Sequence, residues 1–252
     1  MIEQAYKVGE SLGLAVWGED EAGPYQTRPY AGQSWSPEGH PGHYPHEYVR
    51  VGTVKIMTLF HPQSGQVCVK GTTNTTNAIL HPWMKRELAS ILAQLPEKEA
   101  LADPAANRAE WLRWQVGLAT KITLPQELPR LRMLLILDNL SGHKSVDLVL
   151  WLFAHSIMPL YTPLGGSWLN MTESVQRILK KRALEGSYPR TQEQIMPWFE
   201  TVARHWNANP TPFIWGGKRQ RRRQRARQRR IHRLGGSGAY TRRPVRRKWQ
   251  AA

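Results

Sequence analysis

LRMLLILDNLSGHK, residues 131–144, is the stretch whose reading decides the fold. From Leu131 to Leu137 it is apolar except at Arg132, and the run stops at Asp138. A run this short and this apolar suits a central strand covered on both faces, here one that ends in a carboxylate. Downstream, Asp147 to His155 reads as a helix and Ile157 to Tyr161 as another strand. Pro163-Leu164-Gly165-Gly166 reads as a tight turn, and Ser167 to Leu184 and Gln192 to Asn207 read as two helices. Upstream, residues 96–130 form a charged, proline-punctuated insertion with one helix opening at Asp103-Pro104, an N-cap followed by proline. Before it, Ile79, Leu80, Trp83, Met84, Leu88, Ile91, Leu92 and Leu95 mark an amphipathic helix over Asn77 to Leu95.

Toward the N-terminus, Thr53 to Phe60 and Gln66 to Lys70 read as a hairpin around HPQSG. Residues 26–50, rich in Pro, Gly, His and Tyr, lack either period and read as a long ordered loop. Leu12 to Trp17 is a short buried strand that closes on Glu19-Asp20-Glu21 and a turn at Gly23-Pro24. The order predicts an α/β protein, a mixed sheet flanked by helices.

The chain has 252 residues and a formal net charge of +16. Fifteen Lys or Arg residues and no acid lie from Gly216 onward, which leaves +1 for the rest. The expected organisation is therefore a near-neutral folded body over 1–215 and a basic arm over 216–252. KRQRRRQRARQRR, which includes Arg221, Arg222, Arg223 and Arg225, repels itself and seeks a polyanion; a flexible spacer follows at Gly235 to Gly238. The single cysteine, Cys68, excludes an internal disulfide and a thiolate metal cluster, and reads as a small apolar residue. No apolar run is long enough for a membrane span, and the N-terminus lacks a signal-peptide layout, so a cytoplasmic location is expected.

Two strands ending in acids, with a glutamate near a helix start, fit metal-assisted phosphoryl chemistry. Two hard cations about 3.5–4 Å apart need several carboxylate oxygens converging on one point. Acids at the carboxyl ends of adjacent strands converge by default. Side chains alternate along a strand, so Glu19 and Glu21 face away from Asp20. Asp20, with the shorter and more rigid carboxylate, is the preferred ligand, although spacing alone leaves Glu19 and Glu21 open. On the Ser167 helix, Trp168, Met171, Val175 and Ile178 form the expected buried stripe. Asn170, Glu173, Arg177, Lys180 and Lys181 take the opposite side, where Glu173 serves either a metal or an ion pair with Arg177 at i, i+4.

Asp138-Asn139-Leu140-Ser141-Gly142-His143-Lys144, Tyr161-Thr162-Pro163 and Ser167-Trp168-Leu169-Asn170-Met171-Thr172-Glu173 resemble the second and third motifs of mariner-type DDE transposases. The likeness is strongest to the bacterial insertion-sequence six-thirty family. Asp138 and Glu173 have 34 residues between them, and Asp20-Glu21 resembles the first motif. The resemblance implies a ribonuclease H-like fold in which Asp20, Asp138 and Glu173 hold two Mg²⁺ or Mn²⁺ ions. It implies cutting at transposon ends and joining to target DNA, with His143 touching DNA or positioning the site. Asn170, Arg177, Lys180 and Lys181 fall beside the DNA. The 26–50 loop falls where relatives reach a second subunit or the DNA, which implies a homodimer. Such enzymes also carry an N-terminal DNA-reading domain, for which the nineteen residues before Asp20 leave no room. The expectation is a fragment, a reading-frame product, a degenerate copy that only binds DNA, or a chain that works with a separate reading subunit.

Other features carry less. His40, His43 and His46 lack a fixed scaffold for zinc and read as loop residues meeting phosphate or solvent. Trp35 and Trp215 are candidates for stacking on bases or a partner. Gly165-Gly166 is too short to cradle a phosphate, and Ser141 and His143 have no orienting acid for nucleophilic catalysis.

Overall fold

A computed structural model describes residues 1–33, 35–99, 103–217 and Gln224. The elements, in order, are α1 (Ile2–Val8), β1 (Ala15–Gln26), β2 (Thr53–Phe60), β3 (Val67–Thr72), α2 (Asn77–Gln94), α3 (Pro104–Arg113), β4 (Met133–Leu137), α4 (Val146–Ala154), β5 (Ile157–Tyr161), α5 (Thr172–Leu184) and α6 (Gln192–Ala208).

Every residue of β4 and β5 is buried, as continuous apolar runs require when both faces of a sheet are covered. The five strands lie in the order β3-β2-β1-β4-β5. β1 pairs antiparallel with β2 and parallel with β4, and β5 is parallel to β4. This is a ribonuclease H-like mixed sheet, as expected. Met133, Leu135 and Leu137 point into one core with Trp17, Met57 and Leu59, capped by Leu80, Trp83, Met84 and Leu88 of α2. Leu134 and Ile136 point into the other, with Ile2 and Ala5 of α1 and with Trp111, Trp114, Leu118 and Leu124 of the 96–130 insertion. α4 lies between them, giving Leu148 and Leu152 to the first core and Val149 and Phe153 to the second. α5 and α6 pack on β1, β2 and β3.

Local chemistry sets the element ends. Asp103 caps α3 by accepting from Ala105 N at 2.8 Å, with Pro104 as its first residue. Thr191 and Gln194 form a capping box on α6. Gly166 N donates to Pro163 O at 2.8 Å in the expected turn. Cys68 packs against the first core.

Three expectations need correction. β1 does not end at its acids: it runs to Gln26 because β2 outlasts β4 as a partner, and it bends at a bulge between Ala22 and Tyr25. α5 starts at Thr172, since extended backbone at Asn170 separates it from the 3-10 turn Ser167–Leu169. Its buried stripe is therefore Thr172, Val175, Gln176 and Leu179, while Trp168 is half exposed and Ile178 half buried. α1 was not read from the sequence at all, because only Ile2 and Ala5 of its seven residues are buried.

The chain divides into two units, Met1–Phe213 and Ile214–Ala252, and the sheet with its helices belongs to the first. In the second the described residues form a turn, with Gly217 N donating to Ile214 O at 3.1 Å. Arg221, Arg222, Arg223, Arg225 and the Gly235 to Gly238 spacer lie outside the described residues. Among those described, no helix is long and apolar enough to cross a membrane.

The approach of α5 to β1 turns on Gly18. A Cβ there would lie 2.6 Å from Thr172 Oγ1 and 2.7 Å from Asn170 Oδ1. Gly18→Ala should push the start of α5 off the sheet and lower stability by about 1–3 kcal/mol, the usual scale of overpacking. Thermal denaturation checks this, and an unchanged Tm would show that the contact yields without cost.

Candidate active site

β1 and β4 run in parallel register with Gly18 opposite Ile136. Carried two residues past the paired segment, that register sets Asp20 level with Asp138 at the carboxyl ends of the two central strands. Oxygens of Asp20, Glu21 and Asp138 lie within 4.8 Å of one another. Glu173, in the first turn of α5, adds charge that Asp20 feels. It also pairs with Arg177 at 3.6 Å, an exposed i, i+4 contact worth about 0.3–0.5 kcal/mol. The structure thus brings Asp20 and Asp138 together, with Glu21 beside them, whereas Glu173 lies outside that ligand cluster among the described residues.

Alternation sends Glu19 to the other side of β1, where it is fully buried against His143. His143 Nδ1 lies 2.8 Å from Asp138 Oδ1, and Nε2 lies 3.0 Å from Glu19 Oε2 and 4.0 Å from Glu21 Oε1. The Glu19 contact is an ion pair whose angle falls short of a hydrogen bond, so both Glu19 oxygens and Nε2 stay unpartnered in that sense. Burial opposes charge on the imidazole, but Glu19, Asp138 and Glu21 outweigh it and push its pKa up to about 11. A charged ring donates at both nitrogens. Asp138 Oδ1 accepts from it and, at 2.8 Å, from Leu140 N; Oδ2 accepts no hydrogen bond among the described residues. Burial alone would raise Asp138, yet those two donors, with His143 and Lys144 charges nearby, hold it below the ordinary carboxylate value.

Asp20 and Glu21 move the other way. Burial, then the charges of Glu19, Asp138, Glu21 and Glu173, push Asp20 up to about 8. Burial and the Glu19 charge push Glu21 up to about 7 against the pull of His143. Carboxylates this close cannot all ionise at neutral pH unless cations join them.

Two side-chain amides hold the acidic end of β1. Asn170 Nδ2 donates to Glu19 O at 2.7 Å and Gln176 Nε2 donates to Asp20 O at 3.1 Å. Gln176 escaped the sequence reading, although a glutamine on a buried stripe is the kind of signal that could have found it. Asn170 was expected beside DNA, and His143 either to touch DNA or to position the site; 3% and 0% exposed, they do not reach the surface, and both support the acids. Arg177, Lys180 and Lys181 are exposed on α5. His40, His43 and His46 lie on exposed loop and form no ligand cluster among the described residues.

The chain matches the DDE superfamily endonuclease family over residues 15–196. It belongs to that family. No curated protein matches this DDE endonuclease chain. Among solved structures it is similar to a chain of the Mos1 mariner paired end complex with Mn, at 11% identity and a TM-score of 0.44, covering 82% of this chain and 60% of that one.

The raised pKa values of Asp20 and Glu21 fix the sign of a pH effect. The folded protein holds protons that the unfolded chain has released, so this contribution to stability is full below about pH 4 and is lost as pH rises toward 8. In EDTA, Tm should therefore fall from pH 5 to pH 8. Asp20→Asn should flatten that fall and raise Tm at pH 8 by several degrees. Millimolar Mn²⁺ should raise wild-type Tm at pH 8; indifference to both changes would mean that the carboxylates do not converge.

Proposed function

We propose that this chain is the catalytic domain of a mariner-type DNA transposase, of the bacterial insertion-sequence six-thirty kind, which cuts and joins DNA strands. The observation that carries the reading is the convergence of Asp20 and Asp138 at the ends of two parallel strands, with Glu173 on α5 near enough for Asp20 to feel its charge. Asp20, Asp138 and Glu173 would hold two divalent ions, Mg²⁺ or Mn²⁺. The donor set fits hard cations: it is all carboxylate, and its members repel one another when alone. Two such ions, when bound, activate the attacking oxygen and stabilise the leaving one.

The chain's own residues prepare that chemistry. His143 fixes Asp138 through Oδ1 and leaves Oδ2 for a cation, and Glu19 keeps the ring protonated and oriented. Asn170 and Gln176 hold the β1 backbone from which Asp20 projects. Glu21, within reach of the same point, offers a further carboxylate. Arg177, Lys180 and Lys181 take phosphates of the same strand near the reacting one, and the basic arm with Arg221, Arg222, Arg223 and Arg225 supplies affinity that does not depend on sequence. Partners in this reading are transposon ends, target DNA, a second copy met through the 26–50 loop, and a DNA-reading subunit.

Nicking of plasmid DNA carrying candidate inverted repeats, with Mn²⁺ or Mg²⁺, tests this. Cleavage should need the metal and vanish in Asp138→Ala. Glu19→Gln should keep the fold and lose about 10–100-fold, the cost of removing a group that orients a metal ligand. Cleavage that survives Asp138→Ala overturns the assignment. A folded, DNA-binding chain that never cuts would instead be the catalytically silent remnant.

A further inference from the structure

Past its acids, β1 bends at the bulge and, with the foot of the following loop and with α5, encloses a cavity of about 450 Å³. Gly23-Pro24, Tyr25, Gln26, Arg28, Tyr30 and Lys180 line it. The lining holds two cations and no carboxylate. Tyr30 is fixed in place, its hydroxyl donating to Gln26 O and accepting from Gln26 N, each at 3.0 Å. Arg28 lies over its ring at 5.1 Å. Tyr30 N donates to Ser187 O and Gly186 N donates to Tyr30 O, which ties the loop foot to the α5–α6 connection. Two more arginines lie on tyrosines in these same two segments, Arg50 over Tyr48 at 5.6 Å and Arg190 over Tyr188 at 3.9 Å. Lys181 pairs with Glu185 at 3.5 Å, whereas Lys180 makes no ion pair among the described residues.

Position gives the cavity its meaning. Gly23 is three residues along β1 from Asp20, about 10 Å of strand. Lys180 is seven residues along α5 from Glu173, about 10 Å and nearly two full turns, so the two share a helix face. Tyr25, in the cavity wall, is close enough to Asp20 to feel its charge. The cavity therefore opens about 10 Å from the carboxylates along both elements. Phosphates of one DNA strand advance about 3.4 Å each along the duplex axis and lie farther apart along the winding backbone, so this span is at most about three nucleotides.

We infer that the cavity seats a backbone phosphate of the strand being cut, within about three nucleotides of the reacting bond. Arg28 and Lys180 grip that phosphate, and Arg50 and Arg190 continue the track. The inference rests on the reading of the chain as a DNA-cleaving enzyme and adds a place where the strand is held.

The test is equilibrium binding of a short duplex by the full chain in EDTA, across a series of salt concentrations. The proteins are wild type, the double variant R28Q/K180Q, and R86Q as a control on α2. All three side chains are exposed, so melting should be unchanged. Each neutralised phosphate contributes about 0.9 to the slope of log K against log salt. The double variant gives up one seated phosphate and should therefore be shallower than wild type by about 0.9, with R86Q unchanged. A double-variant slope equal to wild type, or an equal loss in R86Q, overturns the seat. Cutting is not part of this readout: a chain that binds with the expected slope change but never nicks DNA fails the catalytic reading and keeps the seat.

Discussion

Like charges gathered at the ends of two parallel strands are the constraint on which the rest of the structure depends. Parallel pairing of β1 with β4 makes Asp20 and Asp138 neighbours whatever their chemistry prefers, and burial raises the cost of their repulsion. Much of the surrounding polar structure manages that cost. His143 brings a buried positive charge between Glu19 and Asp138, Leu140 N adds a donor, and two amides from the α5 side satisfy the carbonyls of Glu19 and Asp20. What they leave unbalanced is the negative charge of Asp20 and Glu21, on the side open to a cation.

The three consecutive acids of β1 divide this work. Asp20 shares its side of the strand with Gly18 and α5, whereas Glu19 shares its side with Trp17 and the core under α2. Glu19 is thus the anion that makes a buried histidine charged, and Asp20 is the anion that a buried histidine does not reach. In the proposed function one strand would supply both a cation's ligand, Asp20, and the counter-charge of the group that orients the neighbouring ligand, Asp138.

Elements with strong periodicity and clear ends were legible in the sequence. β4, β5, α2 and α6 follow from apolar runs, helical spacing and caps, and the meeting of Asp20 with Asp138 from strand ends. What stayed hidden depends on partners distant in sequence. β1 continues past its acids because β2 is there to pair with it. The stripe of α5 is rotated because Asn170 is spent on Glu19 O and breaks the helix before Thr172. Between touching DNA and positioning the site, the sequence left His143 open because nothing local tells that Glu19, 124 positions away, will bury it. The cavity at Arg28 was invisible for the same reason, since its walls come from β1, a loop and α5.

Gly18 has a consequence for how the strand finds its place. β1 begins as Ala15-Val16-Trp17, apolar on both faces, and goes on to three acids in a row, so sliding it by one residue would exchange one apolar side chain for another and one carboxylate for another. Such a strand specifies its register weakly. The gap under Thr172 and Asn170 admits no side chain, and Gly18 is the only residue from Leu14 to Glu21 that lacks one. A slipped strand would drive Trp17 or Glu19 into that gap. The glycine therefore acts as an alignment pin: it carries no chemistry, yet it selects which acid of β1 shares the α5 side of the strand.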